Sequence, residues 1–331
     1  MQMPATRNGA LAFVIAVSLV IPSLATAQVS ATKQFAARTE IHAVPSMTLS
    51  DEQFLRGEGG QPVVVSGLLR IAQGSGRLPV VVLLHGSAGM GANVEFWARE
   101  LNEMGVSAFA LDAFTARGLT NVTTDQARLG RLNMILDAYR ALDVLAHHPR
   151  VDPSRIALMG FSRGGQAALF ASLKRFHRAW NRSGVEFAAY LPFYPDCMTT
   201  YRADTEVADR PIRIFHGGAD DYNPVGPCKA YVERLRSAGR DVQLTEYPNV
   251  SHAFDNPLYG PRQNALKHQT VRHCSIREEA IGQLINTATQ RPFTYKDACV
   301  ETGPHVGYDP AATQAARQSV SALLKTVLKL N

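Results

Sequence analysis

The 331-residue chain has only four cysteines and no C-x-x-C pair among them, and beyond the amino terminus it has no apolar run long enough to span a membrane. Without that cysteine spacing there is no support for a zinc ribbon or a thioredoxin-like redox motif. Neither a P-loop nor a dinucleotide-binding glycine fingerprint occurs, so no metal, nucleotide or organic cofactor is implied. The net charge is only +6, and its Lys and Arg are spread along the chain without a basic block. That distribution suits solubility and does not mark a nucleic-acid binder. No internal repeat or low-complexity tract is present.

What is present begins at the amino terminus. Residues 1–27 carry Arg7, an apolar run from Ala10 to Ile21, then Pro22, Ser23 and Ala25-Thr26-Ala27. This is the three-part pattern of a secretory signal, with cleavage expected after Ala27. The apolar stretch of about a dozen residues is shorter than the roughly 20 needed to cross a bilayer. The expectation is an exported protein, periplasmic or secreted, with no membrane span after signal removal. Residues 28–50 read as a polar, irregular arm, and residues 51–331 as one domain. In an oxidising compartment four cysteines suit two disulfides. Four cysteines admit three pairings. Cys197 follows a strand end at Pro195-Asp196, and Cys228 follows an acid-bearing loop on what should be the neighbouring strand, so these two are expected to pair. Cys274 with Cys299 would then close a loop of about 25 residues, a constraint worth roughly 3 kcal/mol.

Residues 78–84 form a continuous apolar run, Leu78-Pro79-Val80-Val81-Val82-Leu83-Leu84. Lack of alternation fits a strand buried on both faces, as in a mostly parallel sheet. Further strands are read at 62–71, 106–111, 156–159, 187–191, 212–215 and 242–247. Helical spacing is read over 93–104, 124–146 and 163–176, and a last helix opens at Asp309-Pro310. Strands alternating with helices indicate an α/β fold with a mostly parallel central sheet and helices on both faces.

The chemistry enters at Gly160-Phe161-Ser162-Arg163-Gly164-Gly165, a serine between a buried strand and a helix. In a strand-turn-helix elbow the serine is lifted clear of the sheet, and glycines two positions either side avoid clashes. A serine hydroxyl needs a base, and the base a carboxylate to orient it. In chain order, 212–215 runs into Gly217-Gly218-Ala219-Asp220-Asp221, and 242–247 runs into Ser251-His252-Ala253-Phe254. Both lie at carboxyl ends of predicted strands, where open α/β sheets place their sites. Of ten histidines, His252 alone meets the order, position and loop context. His216 reads as structural, His147 and His148 as partners of helix-terminal carbonyls, and His268 and His273 fall in an undefined insertion with no metal role assigned.

Together with His85-Gly86-Ser87-Ala88-Gly89 and the segment 111–118, these motifs resemble the dienelactone hydrolase family of α/β-hydrolases over about 62–329. The resemblance implies Ser162, Asp220 and His252 as catalytic triad, with Asp221 as the alternative acid. It implies an oxyanion hole from the backbone N–H groups of Ser87 and Arg163. The implied activity is cleavage of a small-molecule carboxylic ester through an acyl-enzyme, with a peptidase, a thioesterase or a non-catalytic binding protein as alternatives on the same fold. Two features depart from the family pattern. Dienelactone hydrolase proper uses a cysteine nucleophile and a glutamate where this chain has Ser162 and the Gly86-Ser87 loop, so the resemblance does not carry dienelactone over as substrate. An insertion, 256–306, separates the histidine from the last helix and is a candidate wall or lid.

Overall fold

The structure, a computed structural model, describes residues 1–2, 37–279 and 282–330. Apart from its first two residues, the signal expected over 1–27 lies outside the described residues, as does the arm up to residue 36. The chain runs β1 (Arg38–Thr48), α1 (Asp51–Arg56), β2 (Gln61–Ile71), β3 (Leu78–Leu84), α2 (Ala92–Glu103), β4 (Ser107–Asp112) and α3 (Asn133–Ala146). It continues with β5 (Val151–Phe161), α4 (Arg163–Phe170), α5 (Lys174–Trp180), β6 (Tyr190–Phe193), β7 (Thr199–Thr200), β8 (Ile212–Gly217), α6 (Val225–Ser237) and β9 (Val242–Tyr247). After several short strands it ends in α7 (Pro310–Val327).

Eight strands form the central sheet in the order β1-β2-β4-β3-β5-β6-β8-β9. β1, β2 and β4 pair antiparallel, and every pairing from β4 through β9 is parallel. The apolar run of β3 has its explanation here. Val80, Val82 and Leu84 enter a core on one face with Met134 and Leu142 of α3. Val81 and Leu83 enter a core on the other face with Trp97 of α2 and Leu324 of α7. Each such fully buried Val or Leu contributes about 1.5–3 kcal/mol relative to exposure, so a polar residue at any of these five positions would forfeit that stabilisation.

The structure corrects several expectations. The irregular arm over 28–50 is, from Arg38 to Thr48, an eleven-residue strand in full register with β2, Arg38 opposite Ile71. β1 is an edge strand whose exposure alternates, but its inward positions include the polar Glu40, His42 and Ser46 while Ile41 faces solvent, so its sequence shows neither a continuous apolar run nor a clean alternation, and an edge tolerates Pro45. The helix expected over 124–146 begins only at Asn133; the buried Leu129 and Leu132 precede it. The helix expected over 163–176 is two, α4 and α5, broken where Leu173 turns extended. α6 was not foreseen. His147 bonds the Asp143 carbonyl at 2.8 Å, but His148 reaches instead to Glu40 on β1 at 2.9 Å.

The insertion is built of short antiparallel pairs. Gln263–Asn264 pairs with His305–Val306, and Gln269–Thr270 with Glu301–Thr302. Ile276–Glu278 pairs with Leu284–Asn286 and also lies parallel to β7, which fastens the insertion to the body of the domain. Two disulfides join Cys197 to Cys228 on α6 and Cys274 to Cys299 within the insertion, with Cα–Cα distances of 5.1 and 5.0 Å.

Candidate active site

β5 ends at Phe161, α4 begins at Arg163, and Ser162 between them has φ 55 and ψ −114. A positive φ in a residue with a Cβ costs roughly 1–3 kcal/mol and persists only where its surroundings enforce it. Two close approaches do so here. A Cβ on Gly160 would stand 2.0 Å from the Gly164 carbonyl oxygen, and one on Gly164 would stand 2.2 Å from the Leu84 oxygen. Strand, turn and helix thus meet at a spacing that only glycine permits.

His252 comes from the loop after β9, and its Nε2 lies 2.9 Å from Ser162 Oγ. Its Nδ1 donates to Asp220 Oδ2 at 2.7 Å. The other Asp220 oxygen accepts from the backbone N–H groups of Tyr222 at 2.9 Å and Asn223 at 2.8 Å, so the carboxylate is fixed from both ends. Asp221 turns elsewhere: it accepts from the backbone and ring of His305, each at 2.8 Å, and pairs with Arg262 at 3.4 Å. Burial works against its ionisation, yet these bonds hold its carboxyl below the usual range. His216, expected to be structural, is wholly buried and donates to the Gly217 carbonyl, and burial lowers its pKa.

Sequence reasoning missed the side chains that enclose the imidazole. Tyr222 stacks on His252 at 4.5 Å between ring centroids, and Tyr194 packs edge-on at 4.7 Å. Tyr194 Oη donates to Asp255 Oδ1 at 2.5 Å, and Trp97 Nε1 donates to Asp255 Oδ2 at 2.7 Å. Burial pushes the Asp255 carboxyl up to about 6, against the opposing pull of those two bonds. Gln126 was also missed. Its Oε1 accepts from Ser87 Oγ at 2.9 Å and from Arg163 Nη2 at 2.8 Å, tying the loop after β3 to the start of α4. Arg163 opens α4, so its own N–H has no acceptor within the helix. None of these residues belongs to a spacing pattern; their proximity arises only on folding.

A cavity of about 60 Å³ opens at Ser162, lined also by Ser87, Tyr194, His252 and, from the insertion, Tyr259 and His268. The insertion is therefore a wall of the cavity. Burial, and then the neighbouring His252, lower the pKa of His268. Among the described residues one other group has metal-ligand chemistry, Glu40, His42 and His148, but it is satisfied internally. Both imidazoles donate Nε2–H to Glu40 Oε2, at 3.0 and 2.9 Å, and Arg38 holds Oε1 at 2.6 Å. The Arg150 N–H donates to His148 Nδ1, which puts the ring proton on Nε2, where a metal would need the lone pair.

The sheet order, the elbow and the serine-histidine-aspartate chain define an α/β-hydrolase. The dienelactone hydrolase family model matches residues 65–328, and the chain belongs to that family. A Methylorubrum extorquens relative named "Putative carboxymethylenebutenolidase" is 23% identical over 248 residues, which is 72% of this chain and 83% of the relative. A Yersinia pestis relative of the same name is 26% identical over 210 residues, 60% of this chain and 76% of the relative. The solved structure of a dienelactone hydrolase-like promiscuous phosphotriesterase from metagenomic libraries superposes with a TM-score of 0.55 at 19% identity, covering 87% of this chain and 98% of that one. At that identity the likeness speaks for the fold alone.

Proposed function

We propose that this member of a hydrolase family is a serine esterase, exported to an oxidising compartment, that cleaves small carboxylic esters through an acyl-enzyme. The observation that carries the reading is the unbroken chain from Ser162 Oγ through His252 to Asp220, with links of 2.9 and 2.7 Å. In this reading His252 Nε2 takes the Ser162 proton as Oγ attacks the ester carbonyl, while Asp220 holds the tautomer and stabilises the imidazolium that forms. The backbone N–H groups of Ser87 and Arg163 receive the oxyanion, a contribution of about 3–4 kcal/mol per donor to the barrier. His252 then returns the proton to the departing alcohol, and water repeats the cycle on the acyl-serine. The cavity of about 60 Å³ favours short acyl and alcohol groups. Two disulfides support an oxidising compartment.

Turnover of para-nitrophenyl acetate by wild type and Ser162→Ala tests the reading. The expected loss is of the order of 10⁶-fold, the size seen when subtilisin loses its nucleophile. A clean Ser162→Ala preparation that keeps wild-type turnover would reject the assignment.

A further inference from the structure

Two asparagines line the cavity at Ser162, Asn93 on α2 and Asn256 on the loop that follows His252. Each has one end of its carboxamide committed and the other free. Tyr194 Oη donates to Asp255 and accepts from Asn93 at 3.3 Å, so the bonded end of Asn93 is Nδ2 and the free end is Oδ1. The Leu258 N–H donates to Asn256 at 3.1 Å, which takes Oδ1 and leaves Nδ2. Neither free end has a partner among the described residues, and neither belongs to the buried polar atoms that packing seals off. Both stand around one point. A Cβ on Gly91, itself a lining residue, would lie 2.9 Å from Asn93 Oδ1 and 4.0 Å from Asn256 Nδ2, with the Gly89 carbonyl oxygen at 3.8 Å.

This acceptor and donor are held in place by the packing behind them. Asn93 is only 8% exposed and is tied through Tyr194 and Asp255 to Trp97. Tyr194 keeps a φ of 35, a strain of roughly 1–3 kcal/mol of the kind that collects at functional sites. Elsewhere on the wall the Ser87 hydroxyl is spent on Gln126 and the Thr123 hydroxyl on Asn121. His268 and Tyr259, on the insertion side, are the other polar side chains without a hydrogen-bond partner there. No Asp, Glu, Lys or Arg lines this cavity among the described residues.

Those facts select the chemistry of an occupant. An ammonium or carboxylate group would find no counter-charge, and a charge taken out of water without a partner is costly. An ether or ketone oxygen could accept from Asn256 but would face the oxygens of Asn93 and Gly89 with nothing to donate. A hydroxyl does both, accepting from Asn256 Nδ2 and donating to Asn93 Oδ1. Proton transfer decides which half of the ester carries it. The departing alcohol receives its proton from His252 Nε2 and so lies in the cavity that His252 lines. A smaller cavity at Ser162 is lined by Arg163 and by none of His252, Asn93 and Asn256. We propose that Asn93 and Asn256 form a hydroxyl-binding subsite for the leaving alcohol, and that the substrates are monoesters of a diol or polyol.

This inference rests on the serine-esterase reading, and the test separates the two. Wild-type kcat/KM is measured on hydroxyethyl, methoxyethyl and propyl acetate and on propyl glycolate, each value divided by the ester's rate of alkaline hydrolysis. Hydroxyethyl acetate is expected to exceed each of the others by at least about tenfold, the equivalent of a net hydrogen bond or two. In Asn256→Ala the hydroxyethyl-to-propyl ratio should fall toward one, which separates the two amides from His268 and Tyr259; an unchanged ratio in folded variant overturns the subsite. The wild-type ratios stand whether or not that variant folds. Equal values for hydroxyethyl and propyl acetate, or for hydroxyethyl and methoxyethyl acetate, overturn the subsite while leaving the esterase reading intact. A preference for propyl glycolate overturns its assignment to the alcohol half. Absence of turnover on para-nitrophenyl acetate would instead fail the esterase reading itself.

Discussion

Asp220 and Asp221 are neighbours in sequence with opposite engagements. Asp220 is buried against His252, whereas Asp221 is partly exposed and bound to His305 and Arg262. The turn that Asp220 closes on the Tyr222 and Asn223 N–H groups aims the two neighbours to different sides, so one residue decides which acid meets the imidazole. Asp220→Asn is expected to lower kcat by about 10⁴-fold, as the corresponding change does in a serine protease. Asp221→Asn is expected to leave kcat within a few-fold of wild type and to act on stability, because its partners anchor the insertion. Steady-state kinetics on one short aryl ester would check this, and the reverse ranking would move the orienting role to Asp221. The sequence left that choice open because both acids follow the same strand, and only side-chain direction separates them.

At the scale of elements, Asp255 fastens the histidine loop to α2 through Trp97 and to the end of β6 through Tyr194. Its pKa is raised by burial from 3.8 to about 6 in the folded protein. The folded state therefore holds this proton more tightly than the unfolded chain, and stability is lost as pH rises between those two values. At 1.36 kcal/mol per unit the loss is about 3 kcal/mol. Asparagine does not ionise, so relative to Asp255→Asn the wild type should lose about that much unfolding free energy from roughly pH 4 to pH 6.5, and no more above it. Urea unfolding of both proteins across that range measures the difference, and parallel curves would contradict it. The elements most legible in the sequence were those that burial constrains on every side. β3 announced itself because both of its faces feed a core, and the elbow did so because Gly160 and Gly164 have no room for a side chain. β1 was illegible for the converse reason: it is an edge strand that keeps Ile41 in solvent. The insertion's short pairs, two or three residues each, carry no periodicity to read.

At the scale of the whole molecule, one sheet carries serine, acid and histidine on the loops that follow β5, β8 and β9, and the insertion supplies part of the cavity wall. One disulfide lies between α6 and the loop after β6 and the other inside the insertion, on segments that meet where the Ile276 N–H bonds the Met198 carbonyl at 3.1 Å. Protein recovered from an oxidising compartment is expected to show no alkylatable thiol before reduction, and non-reducing peptide mapping should return Cys197–Cys228 and Cys274–Cys299. A Cys197–Cys274 crosslink would contradict both the pairing and the way the insertion is fastened. The central claim, that Ser162 is a nucleophile activated by His252 and Asp220, is tested most directly by a fluorophosphonate probe followed by mass-spectrometric mapping of the labelled peptide. The account predicts a single stoichiometric adduct on Ser162, abolished in Ser162→Ala and strongly slowed in His252→Ala. An unlabelled Ser162 in folded protein, or an adduct on another residue, would contradict it.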